Sequence, residues 1–171
     1  MSDTLSMYQA TVPVSQRALR NLRQLLVKGE SHAQAQGYDP NVLLQTRLYP
    51  DMFPLLRQVQ IATDGVKNAA ARLRGVEALR FEDDETTFAQ LYDRLDRAIE
   101  YLGTFTPEQF VGSEARPISV PRRNKEPLSV DGRTYLLSFV TPNLYFHVAT
   151  AYAIMRHAGV PLGKAAYLGG S

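Results

Sequence analysis

The stretch that decides the fold is DMFPLLRQVQIATDGVKNAAARLRG, residues 51–75. Its apolar side chains recur at intervals of three and four, which places them on one face of a helix. Asp51 can cap the start of this helix, Pro54 suits an early helical position, and Gly75 ends the pattern. The sequence therefore predicts an amphipathic helix that packs one face against neighbouring helices.

Three further stretches show the same helical period, and a fourth stretch shows a different hydrophobic pattern. The helical stretches lie at about residues 15–32, 88–102 and 141–158. Between about Arg116 and Arg133 apolar and polar residues alternate instead, which is typical of a β-hairpin. Four amphipathic helices predict an all-α fold, a four-helix bundle with a small hairpin insertion before the last helix. We expect residues 1–171 to form a single domain.

Composition excludes several classes of site and partner. Of the 171 residues, 44% are hydrophobic and 21% are charged, as in ordinary globular proteins. No cysteine is present, which removes disulfides, thiolate zinc sites and cysteine nucleophiles. A net charge of +2 does not favour nucleic acid as a partner, although Arg17, Arg20 and Arg23 share the first predicted helix. Residues 1–16 lack a secretory pattern and no long apolar run follows, so we expect a cytoplasmic protein without membrane spans.

His147 is the first candidate for chemistry. It follows Leu144 by three residues and precedes Ala151 by four, so it points along the apolar stripe of the last predicted helix. An imidazole in that place could be a metal ligand or a general base that faces a cavity. The alternative is a buried neutral histidine bonded to a backbone carbonyl. The sequence leaves these alternatives open.

Three other side chains are candidates for a pocket around His147. Gln60 and Asp64 lie on the second predicted helix, and Tyr145 lies two residues before His147. Asp64 falls away from the apolar stripe of its helix, so a solvated or interface aspartate is the alternative. For Tyr145, packing in the core or at a dimer interface is the alternative.

A second candidate cluster comprises His32, Asp51 and His157. If the first and last helices point the same way, all three lie at one end of the bundle. His147 precedes His157 by ten residues, which is about 15 Å along a helix, so no one site can use all three histidines. The alternative for His157 is a cation that the helix dipole favours at the C-terminus.

Alternating charges mark the third predicted helix as a surface. Asp93, Asp96 and Glu100 are interleaved with Arg94 and Arg97. Carboxylates and guanidinium groups at this spacing pair along an exposed helical face. We therefore expect ion pairs in solvent here rather than acid–base catalysis.

Three motifs resemble those of a bacterial family of unknown function. They are residues 48–62, the run FEDDETTF at residues 81–88, and NLYFHV at residues 143–148 with RHAGVPLGK at residues 156–164. This family is placed in the DinB/YfiT-like superfamily of metalloenzymes. The resemblance implies a DinB-like four-helix bundle wound up-down-down-up, usually as a homodimer.

The resemblance also implies a metal-dependent chemistry. DinB-like proteins hold a divalent metal such as zinc or nickel with one histidine on helix 2 and two on a later helix, and some are thiol-dependent transferases. Residues 53–73 of this chain contain no histidine, so only His147 has a counterpart and no metal ligand set is assigned. Two functions stay open: a small-molecule transferase with a degenerate or absent metal site, or a non-catalytic small-molecule-binding or stress-related dimeric protein.

Overall fold

The structure is a computed structural model that describes residues 4–122 and 124–170. The helices are α1 (Met7–Ala35), α2 (Leu55–Arg74), α3 (Phe88–Gly103), α4 (Gly132–Tyr135), α5 (Thr141–His157) and α6 (Lys164–Tyr167). The strands β1 (Pro117–Arg122) and β2 (Lys125–Asp131) form an antiparallel hairpin, as the sequence predicts. Arg123 at the hairpin tip and the first three residues of the N-terminal stretch lie outside the described residues. The single domain over residues 1–171 stays a prediction.

Contacts between helices fix the directions of α1, α2, α3 and α5. Helices α1 and α3 meet at Arg23–Asp96 and at Glu30–Tyr92. Helices α2 and α5 meet at Gln58–His147 and at Gly65–Asn143. Helices α1 and α5 meet at Ala18–Val148 and at Gly29–Met155. Late residues of α1 meet early residues of α3, and the same holds for α2 and α5, so both pairs are antiparallel. Because α1 and α5 are parallel, the bundle is wound up-down-down-up. The predicted fold is confirmed.

The core is built from apolar stripes of these four helices. In α1 the stripe includes Leu19, Leu22, Leu25 and Leu26, all fully buried. Residues 69–71 of α2 are three consecutive alanines with no exposed surface. Their small side chains let neighbouring elements approach this part of α2 on every side. Within the described residues no helix is long and apolar enough to cross a membrane.

The end of α2 and both boundaries of α3 agree with the sequence patterns, but the starts of α1 and α2 do not. Pro54 is the N-cap of α2 and no side chain caps that helix, so the expected cap at Asp51 is wrong. Gly75 ends α2 in a left-handed conformation with φ of 82°, which favours glycine. The predicted start of α1 near residue 15 is wrong, because Ser6 caps the helix and forms a capping box with Gln9. Pro13 then lies inside α1 with its ring on the exposed side.

Helical structure begins before Thr141, although the last predicted helix spans about residues 141–158. Asp131 caps α4 by accepting a hydrogen bond from the Thr134 backbone N–H at 2.8 Å. A π-helical turn over Leu136–Val140 then joins α4 to α5. Pro142 has no N–H to donate, and the wider turn before it lets the helix continue through it. The predicted start of helical structure near residue 141 is therefore wrong, because α5 continues directly from the π-helical turn.

Candidate functional site

A hydrogen-bonded chain of side chains holds His147 between α5 and α2. His147 is only 8% exposed, and its Nδ1 lies 2.7 Å from Oε1 of Gln58. The amide nitrogen of Gln58 donates to the carbonyl of Phe53 at 3.0 Å, so its oxygen faces the imidazole. Nδ1 must therefore carry the proton, and Nε2 keeps its lone pair. The partner is a side-chain amide rather than the backbone carbonyl considered from the sequence.

The surroundings of His147 keep its ring neutral. Burial, and then the positive charge of Arg57, lower the pKa of His147 below its usual range. Among the described residues, Nε2 makes no hydrogen bond. This nitrogen is also not completely shielded from solvent. Phe146 packs edge-on against the imidazole at 5.1 Å between ring centroids, and both Phe146 and Phe53 are more than half exposed. A neutral hydrogen-bond acceptor thus lies beside the exposed ring of Phe146.

Gln60 and Asp64 belong to a different site, which we call the Arg94 cluster. Arg94 of α3 is 1% exposed, and its guanidinium donates to Oε1 of Glu85 at 2.8 Å. The same group forms ion pairs at 3.0 Å with Asp64 and with Asp83. Gln60 donates to the other carboxylate oxygen of Glu85 at 2.8 Å. The structure therefore places Gln60 and Asp64 around Arg94 and not around His147.

Two more cations complete the Arg94 cluster. Lys67 lies 3.4 Å from Asp64, and burial lowers its pKa. Burial on its own raises the pKa of Asp83, but hydrogen bonds and charges from Arg57 and Arg94 outweigh it and lower the pKa. Arg57 also bonds to Gln60 and acts on His147, so it connects the two sites. Three cationic side chains face three carboxylates, and the cluster is balanced in charge.

The sequence pattern does not predict the Arg94 cluster. The surface pairing expected for α3 holds for Arg97 and Asp93, at 3.5 Å, but it is wrong for Arg94. Residues 75–87 cross back over α2 and α3 and cover Arg94 with Phe81, whose ring lies 5.3 Å from the guanidinium carbon. One feature of the sequence could have indicated the cluster: an acidic run at residues 82–85 precedes the helix that contains Arg94.

The remaining candidates lie elsewhere. Tyr145 is 39% exposed and lines a cavity between α1, α5 and α6. His32 lies near Gly159 at the end of α5, so it shares one end of the bundle with His157. In the part of the chain that the structure describes, His32, Asp51 and His157 form no hydrogen bond or ion pair with one another.

The residues present do not fit the metal centre that the DinB resemblance implies. Throughout residues 4–122 and 124–170, no group of three or more His, Asp or Glu side chains could hold a metal ion. On α2 an amide, Gln58, faces His147, and Thr150 and Ala151 occupy the positions three and four residues after His147. An imidazole whose Nδ1 proton is used by a glutamine offers one nitrogen ligand, whereas catalytic zinc is usually held by three protein groups.

Comparison with known families identifies the chain. Residues 7–168 match the model of a domain of unknown function, DUF1993. The chain belongs to the DUF1993 family. A solved structure of a DinB family member protein from Shewanella denitrificans is similar to this DUF1993 protein, with 40% sequence identity and a TM-score of 0.89. The similarity covers 96% of this chain and 93% of the other, and no curated protein matches. The DinB-like, unknown-function family predicted from the three motifs is confirmed.

Proposed function

We propose that this DUF1993 protein binds a small molecule at the His147–Gln58 pair, and that this pair stands in place of a three-histidine metal centre. The observation that carries the proposal is the bond from Nδ1 of His147 to Gln58, which fixes the tautomer and orients Nε2 as an acceptor. The ligand presents an O–H or N–H donor to Nε2. The proposal keeps the cytoplasmic location expected from the sequence, which cell fractionation would test.

The flanking residues support a ligand with an aromatic or apolar body. Phe146 packs on the His147 ring, the Phe53 carbonyl accepts from Gln58, and both phenylalanine side chains are exposed. Large exposed apolar side chains mark binding surfaces. The Arg57 guanidinium carbon lies 6.0 Å from the centre of the Phe53 ring, which adds a cation at the edge of the site. A few polar groups among apolar walls are typical of small-molecule sites.

Transferase activity is the second candidate function, and the neutral imidazole is the observation that favours it. A neutral Nε2 can accept the proton of a thiol or hydroxyl nucleophile, which is the role of a general base. The Gln58 bond would orient the ring while the proton is held. The same geometry suits binding alone and binding followed by a chemical step. Replacement of His147 separates the two functions, because it lowers the rate of a chemical step only if His147 is the general base.

Phenol is a suitable probe of the proposed site. We expect phenol to bind wild-type protein, since its O–H can donate to Nε2, and anisole, which lacks the donor, to bind at least about tenfold more weakly. His147→Phe should weaken phenol binding to the level of anisole. Because the pKa of His147 is lowered, phenol binding should persist at pH values where an ordinary histidine is already charged, and weaken only at lower pH. Titrations followed by NMR at several pH values would measure this.

His157→Phe is the matched control, because His157 is an exposed histidine at the end of the same helix. It should leave phenol binding unchanged. Treatment with a chelator should also change nothing. Equal affinity for phenol and anisole, or loss of binding with the chelator, would contradict the proposal.

We also propose a homodimer formed through the exposed face of α5. Residues 141–155 contain no Asp, Glu, Lys or Arg, although Phe146 and Ala149 are exposed. An exposed helical face without charges is typical of an interface. Sedimentation should show a dimer of the wild type at micromolar concentration, and Phe146→Glu should shift it to monomer. As a control, Phe139→Glu lies before α5 and should leave the dimer intact; a wild-type monomer would refute this assignment.

A further inference from the structure

A cavity of about 430 Å³ lies beside the C-terminal helix α6. Its apolar wall includes Val14 of α1 and Val148 of α5, and its polar groups include Arg17, Tyr145 and Tyr167. On α5 the side chain of His147 meets α2, whereas Tyr145 and Val148 face α1. The cavity is therefore a separate place from the His147 site.

Two tyrosines bring polar groups from different elements to this cavity. Burial, and then the neighbouring Tyr145, raise the pKa of Tyr167. Its hydroxyl therefore stays protonated at neutral pH and remains a hydrogen-bond donor. Asn21 donates to the carbonyl of Tyr167 at 3.2 Å, which fastens α6 to α1 and fixes this wall of the cavity.

Arg17 gives the cavity its charge. The guanidinium of this exposed residue donates to the carbonyl of Leu168 at 3.3 Å and forms no ion pair within the described part of the chain. The next groove along α1 contains Arg20 and Lys28, which do not line this cavity. A guanidinium with free N–H groups matches a carboxylate in geometry and charge.

We propose that this cavity binds a small carboxylate with an apolar body. The carboxylate pairs with Arg17 and accepts from a tyrosine hydroxyl, while the apolar body packs against Val14 and Val148. A cavity of this size suits such a ligand, since small-molecule sites measure about 300–1,000 Å³. The site is independent of the His147 proposal.

Benzoate tests the proposal directly. Protein labelled with 3-fluorotyrosine should show ¹⁹F shifts of the Tyr145 and Tyr167 signals on titration with benzoate. Benzyl alcohol has no charge and acetate has no apolar body, so both should bind at least about tenfold more weakly. Arg17→Gln should weaken benzoate binding at least about tenfold, because it removes the charged partner.

Arg20→Gln is the matched control, because Arg20 is an exposed arginine of the same helix that faces the neighbouring groove. It should leave benzoate affinity unchanged. Val14→Trp, at a partly exposed position, should fill the cavity and block benzoate while the circular dichroism spectrum stays native. Benzoate binding that is insensitive to Arg17→Gln, or shifts confined to other tyrosines, overturns the proposal. So does dissociation of a dimer by Arg17→Gln without any benzoate binding, since the groove would then be a contact between copies of the chain.

Discussion

Replacement of Arg94 by methionine should lower the free energy of unfolding by about 3–5 kcal/mol. The guanidinium is 1% exposed and faces Asp64, Asp83 and Glu85. Methionine fills much of the same volume but leaves these carboxylates with two cations instead of three. Glu85 is the most affected, because it is 9% exposed and Gln60 would be its remaining hydrogen-bond donor. Urea denaturation followed by circular dichroism would measure the loss.

Arg97→Met is the matched control. Arg97 lies three residues further along α3, its side chain is 51% exposed, and its pair with Asp93 spans 3.5 Å. Exposed pairs of this kind contribute about 0–1 kcal/mol, so the control should lose at most that amount. Equal losses for the two variants would show that the Arg94 cluster adds no more to stability than a surface pair.

Gly132→Ala should destabilise the protein by at least about 3 kcal/mol, or prevent folding. Gly132 is buried at the start of α4, and a Cβ there would lie 1.9 Å from the backbone oxygen of Ser113 and 3.0 Å from a methyl of Leu73. The nearer contact is with backbone, which cannot rotate away as a flexible side chain can. Glycine is required here for close approach between two segments. The yield of soluble protein and its thermal midpoint would report the effect.

Gly163→Ala serves as the comparison for Gly132→Ala. A Cβ at Gly163 would meet nothing within 4 Å, and its φ of −125° is open to any residue. This variant should change stability by no more than about 0.5 kcal/mol. A Gly132→Ala protein as stable as the Gly163→Ala protein would mean that the Ser113 segment moves at little cost.

Much of the fold could be predicted because each long helix carries its own apolar stripe and its own end signal. The end of α2 at Gly75 and the hairpin are determined by neighbouring residues, so the sequence alone predicts them. The Arg94 cluster could not be predicted in the same way, since it depends on where residues 75–87 return. A charged residue on the outer face of an isolated helix becomes buried once another segment covers that face.

The candidate site was predicted in part for a similar reason. The position of His147 on the apolar stripe indicated its burial, and the structure places it at the interface with α2. The sequence predicts Gln60 beside His147, yet Gln58 is its partner. Two residues along a helix differ by about 200° in direction. Tyr145 differs from His147 by the same angle, which explains why it lines another cavity. Gln58 lies three residues after Leu55 and four before Ala62, on the buried face of α2. That spacing could have indicated Gln58 as the partner of His147.

The shared direction of α2 and α3 has a consequence for how the chain folds. Two helices that run the same way cannot form from a tight helical hairpin, so residues 75–87 must travel back along the bundle before α3 can dock. Contacts between distant parts of the chain are slower to form than local ones, because the loop between them must first be ordered. Thr63 and Arg94 meet only when that return is complete. We therefore expect α3 to dock on α2 only after residues 75–87 have returned along the bundle.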